Sequence, residues 1–208
     1  MGGFGAVVLA GGAARRMGGA DKPALPVAGR PMLTRVLAAV ADAEPRIVVG
    51  PAPAALPAGV RTTRERPPGG GPVAAIAAGL ALLDPDVPLV AVLAADLPLL
   101  TADAVAVLRQ AVAGASNLDG ALYHDEDGRP QLLCGVWRVA ALRAAVERVA
   151  VAGPPAGASP PAPGRGASVR ALLDGLAVAR VSWQRPGPPP WFDCDTDADL
   201  RRAEEWAR

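Results

Sequence analysis

Residues 5–9 (GAVVL) form an unbroken apolar run that gives way at once to AGGAARRMGGADK. That is the pattern of a strand buried on both faces handing over to a long glycine-rich loop. Residues 46–49 (RIVV) and 88–94 (PLVAVLA) repeat the apolar-strand pattern, with Gly50 closing the first and Asp96 just past the second. After turn chemistry at 29–31, Leu33, Val36, Leu37 and Val40 recur at helical spacing, which predicts a helix over 32–43. PPGGGP at 67–72 reads as a loop, and residues 73–83 as a small-residue helix whose apolar character all round calls for burial between layers. Thr101 is placed to cap a helix reaching 113. Strand-like segments at 120–124 and 132–137 flank DEDGRPQ, as in a hairpin or β-arch. Helices are expected at 140–149 and 168–176, a strand at 178–183, and a closing helix over 196–207 with Thr196 as its N-cap. Residues 152–166 (AGPPAGASPPAPGRG) are low in complexity and read as a flexible surface insertion.

Strands alternating with helices predict an α/β sandwich around a mostly parallel sheet with right-handed crossovers. In such sheets ligands bind beyond the carboxyl ends of the strands, where the loop after Leu9 and Asp96 both emerge. A length of 208 residues fits one domain spanning 1–208. A net charge of +1 provides no basic stripe, which argues against nucleic acid as a partner. No stretch reaches the about 18 apolar residues of a membrane span, and arginines follow rather than precede the first apolar run, unlike an export signal. Two cysteines, Cys134 and Cys194, are too few for a disulfide framework and too far apart for a CxxC pair, so a cytoplasmic setting is expected. Composition adds one sharper fact: Lys22 is the only lysine among 21 basic residues. A site wanting one compact ammonium rather than a planar fork would retain it; chance is the other reading.

The loop ending at Lys22 combines glycines, Arg15, Arg16 and that lysine, which gives close backbone approach, free N–H donors and cations for a polyphosphate. It is neither GxxxxGK[ST], because proline follows Lys22, nor a GxGxxG fingerprint. Asp96, in AADLPLL, is an acid at the end of an apolar strand, suited to Mg²⁺, which takes one or two carboxylates plus phosphate oxygens. In FDCDTDADL an extended backbone would point Asp193 and Asp195 the same way, toward a metal; equally, Asp195 could simply precede the cap at Thr196. His124, the only histidine, sits beside three acids and reads as a solvated loop residue, so hydrolytic triads have little support. Trp191 and the prolines before it are expected to pack the closing segment against the core.

LAGGAARRMGGADKPALPVAGRPML strongly resembles the opening of the MobA-like nucleotidyltransferases, the molybdenum cofactor guanylyltransferases. PPGGGPVAAIAAGL, AADLPLL and FDCDTDADL resemble the family's later motifs in the same order. The resemblance implies a three-layer α/β/α Rossmann-like sandwich, with GTP as substrate and Mg²⁺ (or Mn²⁺) as cofactor. It implies transfer of GMP to the terminal phosphate of molybdopterin with release of pyrophosphate. By position, Leu9, Ala10, Gly11 and Gly12 would contact the nucleotide, Arg16 and Lys22 its phosphates, and Asp96 the metal, with Asp195 and Asp193 in the closing motif. The implied partners are these small molecules, other cofactor-assembly proteins or the target molybdoenzyme. Two positions depart from the family pattern. Where an acid commonly recognises guanine, Arg64, Glu65 and Arg66 stand, and only Glu65 offers a carboxylate; where an asparagine often follows the second strand, Gly50 stands. GTP against CTP is therefore open at these positions. The other readings are a relative using CTP or another phosphorylated acceptor, and a nucleotide-binding assembly partner without turnover.

Overall fold

The computed structural model describes residues 3–11, 22–51, 55–152 and 166–208. The strands are β1 (Phe4–Leu9), β2 (Pro26–Val27), β3 (Arg30–Pro31), β4 (Arg46–Val49), β5 (Val60–Thr63), β6 (Leu89–Ala94), β7 (Gly120–His124), β8 (Pro130–Arg138) and β9 (Val178–Val181). The helices are α1 (Met32–Ala39), α2 (Gly71–Leu80), α3 (Ala102–Ala113), α4 (Val139–Ala152), α5 (Val169–Leu173) and α6 (Asp197–Trp206), with a 3-10 turn over Lys22–Ala24. Seven strands make the main sheet in the order β5-β4-β1-β6-β8-β7-β9. Only β8 runs against the rest, pairing antiparallel with β6 and β7. The expected mostly parallel α/β architecture is the one observed.

The register shows why the first run is apolar without a break. Val8 pairs with Val48 on one side and Leu93 on the other, which makes β1 a central strand. Phe4, Ala6 and Val8 pack toward α1 and α3, while Val7 and Leu9 pack toward α2, α4 and α5. Both faces are covered, and each fully buried Val or Leu stabilises by about 1.5–3 kcal/mol relative to exposure. Helix α2 lies close against β1, because a Cβ at Gly79 would collide with Val7. Along α2, Val73, Ala75, Ile76, Gly79 and Leu80 are buried, as its all-round apolar character requires.

Helix α2 starts at Gly71, inside the expected loop, and ends at Leu80 rather than 83, and α5 spans only Val169–Leu173 of the expected 168–176; three further differences have a local reason. α1 ends at Ala39 rather than 43, where the chain turns toward β4. The strand β5 (VRTT) was not anticipated: it is a short edge strand, part exposed throughout, so it carries no apolar run. The hairpin β2–β3 was also missed, being two residues long on each side; its turn places Ala28 (φ 48) and Gly29 (φ 74) both in the left-handed region. DEDGRPQ is the tip of the β7–β8 hairpin and start of β8, settling that alternative. Thr196 caps α6 as expected, with a full capping box to Asp199. Trp191 stacks on Tyr123 at 5.0 Å between ring centroids, joining the closing segment to the core. The insertion expected at 152–166 falls almost wholly outside the described residues; at its end Gly166 lies against the Gly70–Gly71 backbone. Among the described residues, no helix is long and apolar enough to cross a membrane.

Candidate active site

The strands β5, β4, β1 and β6 are parallel, so their carboxyl ends share one edge of the sheet. From β1 the chain first builds outward to β4 and β5, then returns to place β6 on the other side. That reversal leaves a crevice beyond the ends of β1 and β6. Leu9, Ala10 and Gly11 leave β1 at this point. The Ala10 N–H donates to the Val49 carbonyl (2.8 Å), and the Ala95 N–H donates to the Leu9 carbonyl (3.0 Å), so the start of the loop is clamped from both sides. Gly50 has φ +146, and a Cβ there would lie 2.8 Å from the Ala10 carbonyl carbon and 2.9 Å from the Gly11 nitrogen. Only glycine lets β4 end this close to the loop.

Lys22 opens the 3-10 turn, and its Nζ donates to Asp96 Oδ2 at 2.5 Å and to Asp195 Oδ1 at 2.7 Å. The lone lysine and both candidate acids are thus brought together across 74 and 173 residues of sequence. Asp96 sits two positions past β6, and its carbonyl accepts from the Cys194 N–H (3.3 Å), which pins the closing segment beside it. Asp195 immediately precedes the Thr196 cap, but the capping box is made by Thr196 and Asp199, which leaves the Asp195 carboxylate to Lys22. The Lys22 side chain is only 16% exposed. Burial pulls its pKa down, but the hydrogen bonds and charges of Asp195 and Asp96 outweigh that and hold it above the ordinary lysine value. Burial, then the negative charge of Asp195, raises the carboxyl of Asp193, with Asp96 adding to the effect. Burial likewise pushes the Cys194 thiol up to about 12, so it stays protonated and inert.

Two carboxylate oxygens meeting at one point can share a cation, and the Lys22 ammonium shows that they do. Among the described residues no group of three or more His, Cys, Asp or Glu side chains is arranged for a metal. A pair of carboxylates, with water and phosphate oxygens completing the shell, suits Mg²⁺, which demands six oxygens and keeps several waters. The donor set therefore fits that ion.

The remaining candidates are placed as follows. Gly12 and Arg16 lie outside the described residues. Glu65 follows β5 at the same sheet edge, where its Oε1 accepts from the Gly69 N–H (3.0 Å) and so holds the 65–69 turn. His124 is not in a loop but ends β7, with its Nε2 2.9 Å from the Ser182 hydroxyl. The sequence reading missed Arg35, whose part-buried guanidinium donates to the carbonyls of Pro98 (2.8 Å) and Val27 (3.3 Å). No spacing signal marks it, because its partners are backbone atoms distant in sequence.

Comparison with known proteins gives the family and the fold. Residues 6–158 match the model of the MobA-like NTP transferase domain. The molybdenum cofactor guanylyltransferase of Bradyrhizobium sp. (strain ORS 278) is 34% identical over 97% of this chain and 92% of its own. Among solved structures, molybdopterin-guanine dinucleotide biosynthesis protein A from Archaeoglobus fulgidus superposes with a TM-score of 0.68 at 19% identity, over 97% of both chains. The 2-C-methyl-D-erythritol 4-phosphate cytidylyltransferase from Thermus thermophilus does so equally, at 0.68 and 22% over 99% and 98%, so these two likenesses establish the fold alone. With the family model spanning most of the chain and a full-length relative above 30% identity, the chain belongs to the MobA-like NTP transferase family.

Proposed function

We propose that this protein transfers GMP from GTP to the terminal phosphate of molybdopterin, releasing pyrophosphate and forming the guanine dinucleotide cofactor. The observation that carries the reading is the Lys22 ammonium held between Asp96 and Asp195 at the crevice where the β1 loop emerges. The full-length likeness to a guanylyltransferase supports the choice of GTP and of the acceptor.

The chemistry asks for no protein nucleophile. An oxygen of the acceptor phosphate attacks the α-phosphorus in line, and the bond to the β-phosphate oxygen breaks. The protein positions the two reactants and offsets charge. Leu9, Ala10 and Gly11 present clamped backbone to the nucleotide, and Gly12 is assigned the same contact. Lys22 exchanges carboxylate oxygens for phosphate oxygens when the triphosphate enters, and Arg16 is assigned the same electrostatic role. Asp96 and Asp195 would hold Mg²⁺, which when bound neutralises charge on the α-phosphate and the departing pyrophosphate. Asp193, whose carboxyl feels the charges of Asp195 and Asp96, adds negative potential to the same crevice. Glu65 is the carboxylate available to read the guanine edge. The free Cys134 and Cys194 support a cytoplasmic setting for this reaction.

Pyrophosphate release, followed with molybdopterin, Mg²⁺ and each of GTP, CTP and ATP, tests the proposal. GTP should give the highest kcat/KM, and Asp96→Asn should lower Mg²⁺-dependent turnover at least about a hundredfold, since several kcal/mol of charge stabilisation goes with the ion. A clear preference for CTP overturns the guanylyl assignment, tight GTP binding without pyrophosphate release overturns the enzyme, and full activity in the Asn variant removes Asp96 from the site.

A further inference from the structure

A second cationic feature lies outside the Lys22 cluster. A cavity of ≈ 240 Å³ opens between α1 and the amino end of α3, lined by Arg30, Arg35, Ala39, Pro98, Thr101 and Ala102. Arg30 stands exposed on β3, and Arg35 is part-buried on α1. The carbonyls of Pro98 and Val27 fix the Arg35 guanidinium in place but bring no negative charge. Among the described residues neither arginine has a carboxylate within salt-bridge distance. Burial, then the positive charge of Arg30, pulls the Arg35 pKa below its ordinary value, as two cations facing each other without a counter-ion should. The nearest acid on α3, Asp103, is engaged by Arg185 and so is already neutralised. Thr101 caps the Ala104 N–H, leaving the amides of Ala102 and Asp103 as the free donors of the helix start.

We propose that this cavity binds the phosphate group of a small phosphate ester, gripped by the Arg30 and Arg35 guanidiniums and separate from the nucleotide loop. Guanidinium forks match phosphate oxygens with pairs of parallel N–H donors, which a single ammonium cannot do. A volume below the usual range of about 300–1,000 Å³ for drug-sized ligands suits a phosphate with a short substituent rather than a nucleotide. Arg35 also ties the site to its neighbours. It holds Pro98, two residues past Asp96, and Val27, five past Lys22, so an anion that draws on its guanidinium acts on both sides of the Lys22 cluster. That coupling rests on reading the cluster as the transfer site; the binding does not.

Titrating inorganic phosphate into the full chain, followed by ¹H–¹⁵N NMR against an equal ionic strength of chloride, tests the binding. The Arg35 Nε–H and the amides of Ala102 and Asp103 should shift together. Arg30→Gln, on an exposed hairpin position, should raise the midpoint about tenfold, Arg30→Lys should recover part of it, and Arg61→Gln, on the edge strand β5, should leave it unchanged. Resonances that stay fixed, a midpoint indifferent to Arg30→Gln, or one raised equally by Arg61→Gln would each overturn the site. Steady-state kinetics then name the source of the phosphate once binding is established. An acceptor KM unchanged in Arg30→Gln identifies a separate ester, and one raised about tenfold identifies the acceptor's own phosphate.

Discussion

Gly50→Ala asks how tightly the end of β4 is fitted to the nucleotide loop. The added methyl would sit 2.8 Å from the Ala10 carbonyl carbon, 2.9 Å from the Gly11 nitrogen and 3.0 Å from the Ala10 oxygen, all of them backbone. No side chain can rotate away, so the loop or β4 must shift. At φ +146 an alanine also adopts a conformation almost reserved for glycine. Backbone strain of about 1–3 kcal/mol and overpacking of about 1–3 kcal/mol together give a loss of roughly 2–6 kcal/mol, unless the loop yields. For a chain of this length that is about 4–24 °C in Tm, at about 2–4 °C per kcal/mol. If the loop yields instead, stability is kept and Ala10 and Gly11 lose their position, so kcat/KM for the nucleoside triphosphate falls at least about tenfold. Differential scanning calorimetry and initial rates of pyrophosphate release separate the two routes. A variant with wild-type Tm and wild-type kcat/KM refutes the close fit.

The other consequences concern the charged cluster. Lys22→Ala should lower kcat/KM by about a hundred- to a thousandfold, the range for losing one charged donor to a reacting phosphate, while Tm changes by only a few degrees; unchanged kinetics would end its role. Lys22→Arg should restore less than about a tenth of the lost rate, because a guanidinium spreads over a fork the charge that two carboxylates here meet at one point; full rescue would show that any cation serves. Asp193 titrates upward on folding through burial and the charge of Asp195, so the stability it contributes is whole below the ordinary carboxyl pKa of about 3.9 and is lost as pH rises through its folded value. In metal-free buffer Asp193→Asn should therefore raise Tm at about pH 7 and show no gain near pH 3; a lower Tm at pH 7 would contradict the sign.

Legibility followed burial. The central strands β1, β4 and β6 were readable because both their faces are covered, so their apolar runs are unbroken. The edge strand β5 and the hairpin β2–β3 were not, since Val60–Thr63 needs no apolar face toward solvent and Pro26–Pro31 is held by turn geometry more than by side chains. Lys22, Asp96 and Asp195 could each be nominated from local context, a solitary lysine, an acid ending an apolar strand, an acid before a helix cap. Their meeting at one nitrogen could not, because it depends on the reversal of strand order and on the Cys194–Asp96 backbone bond. Arg35 escaped for the same reason: a helix arginine whose acceptors are two distant carbonyls has no sequence signature.

The strand order also separates two jobs within the proposed reaction. Gly50 and Glu65 follow β4 and β5 on one side of the β1 loop, whereas Asp96 follows β6 on the other, with Asp195 beside it. The loop is clamped to both sides at once, through Ala10 to Val49 and through Leu9 to Ala95. A triphosphate lying along it would meet base-reading groups on one flank and charge-handling groups on the other, held at fixed separation by these backbone bonds rather than by flexible side chains. Preorganisation of that kind is what a reaction without a protein nucleophile depends on, since its rate comes from placing reactants and opposing charge in advance. It would also let a base-reading flank vary while the Lys22, Asp96 and Asp195 cluster stays intact.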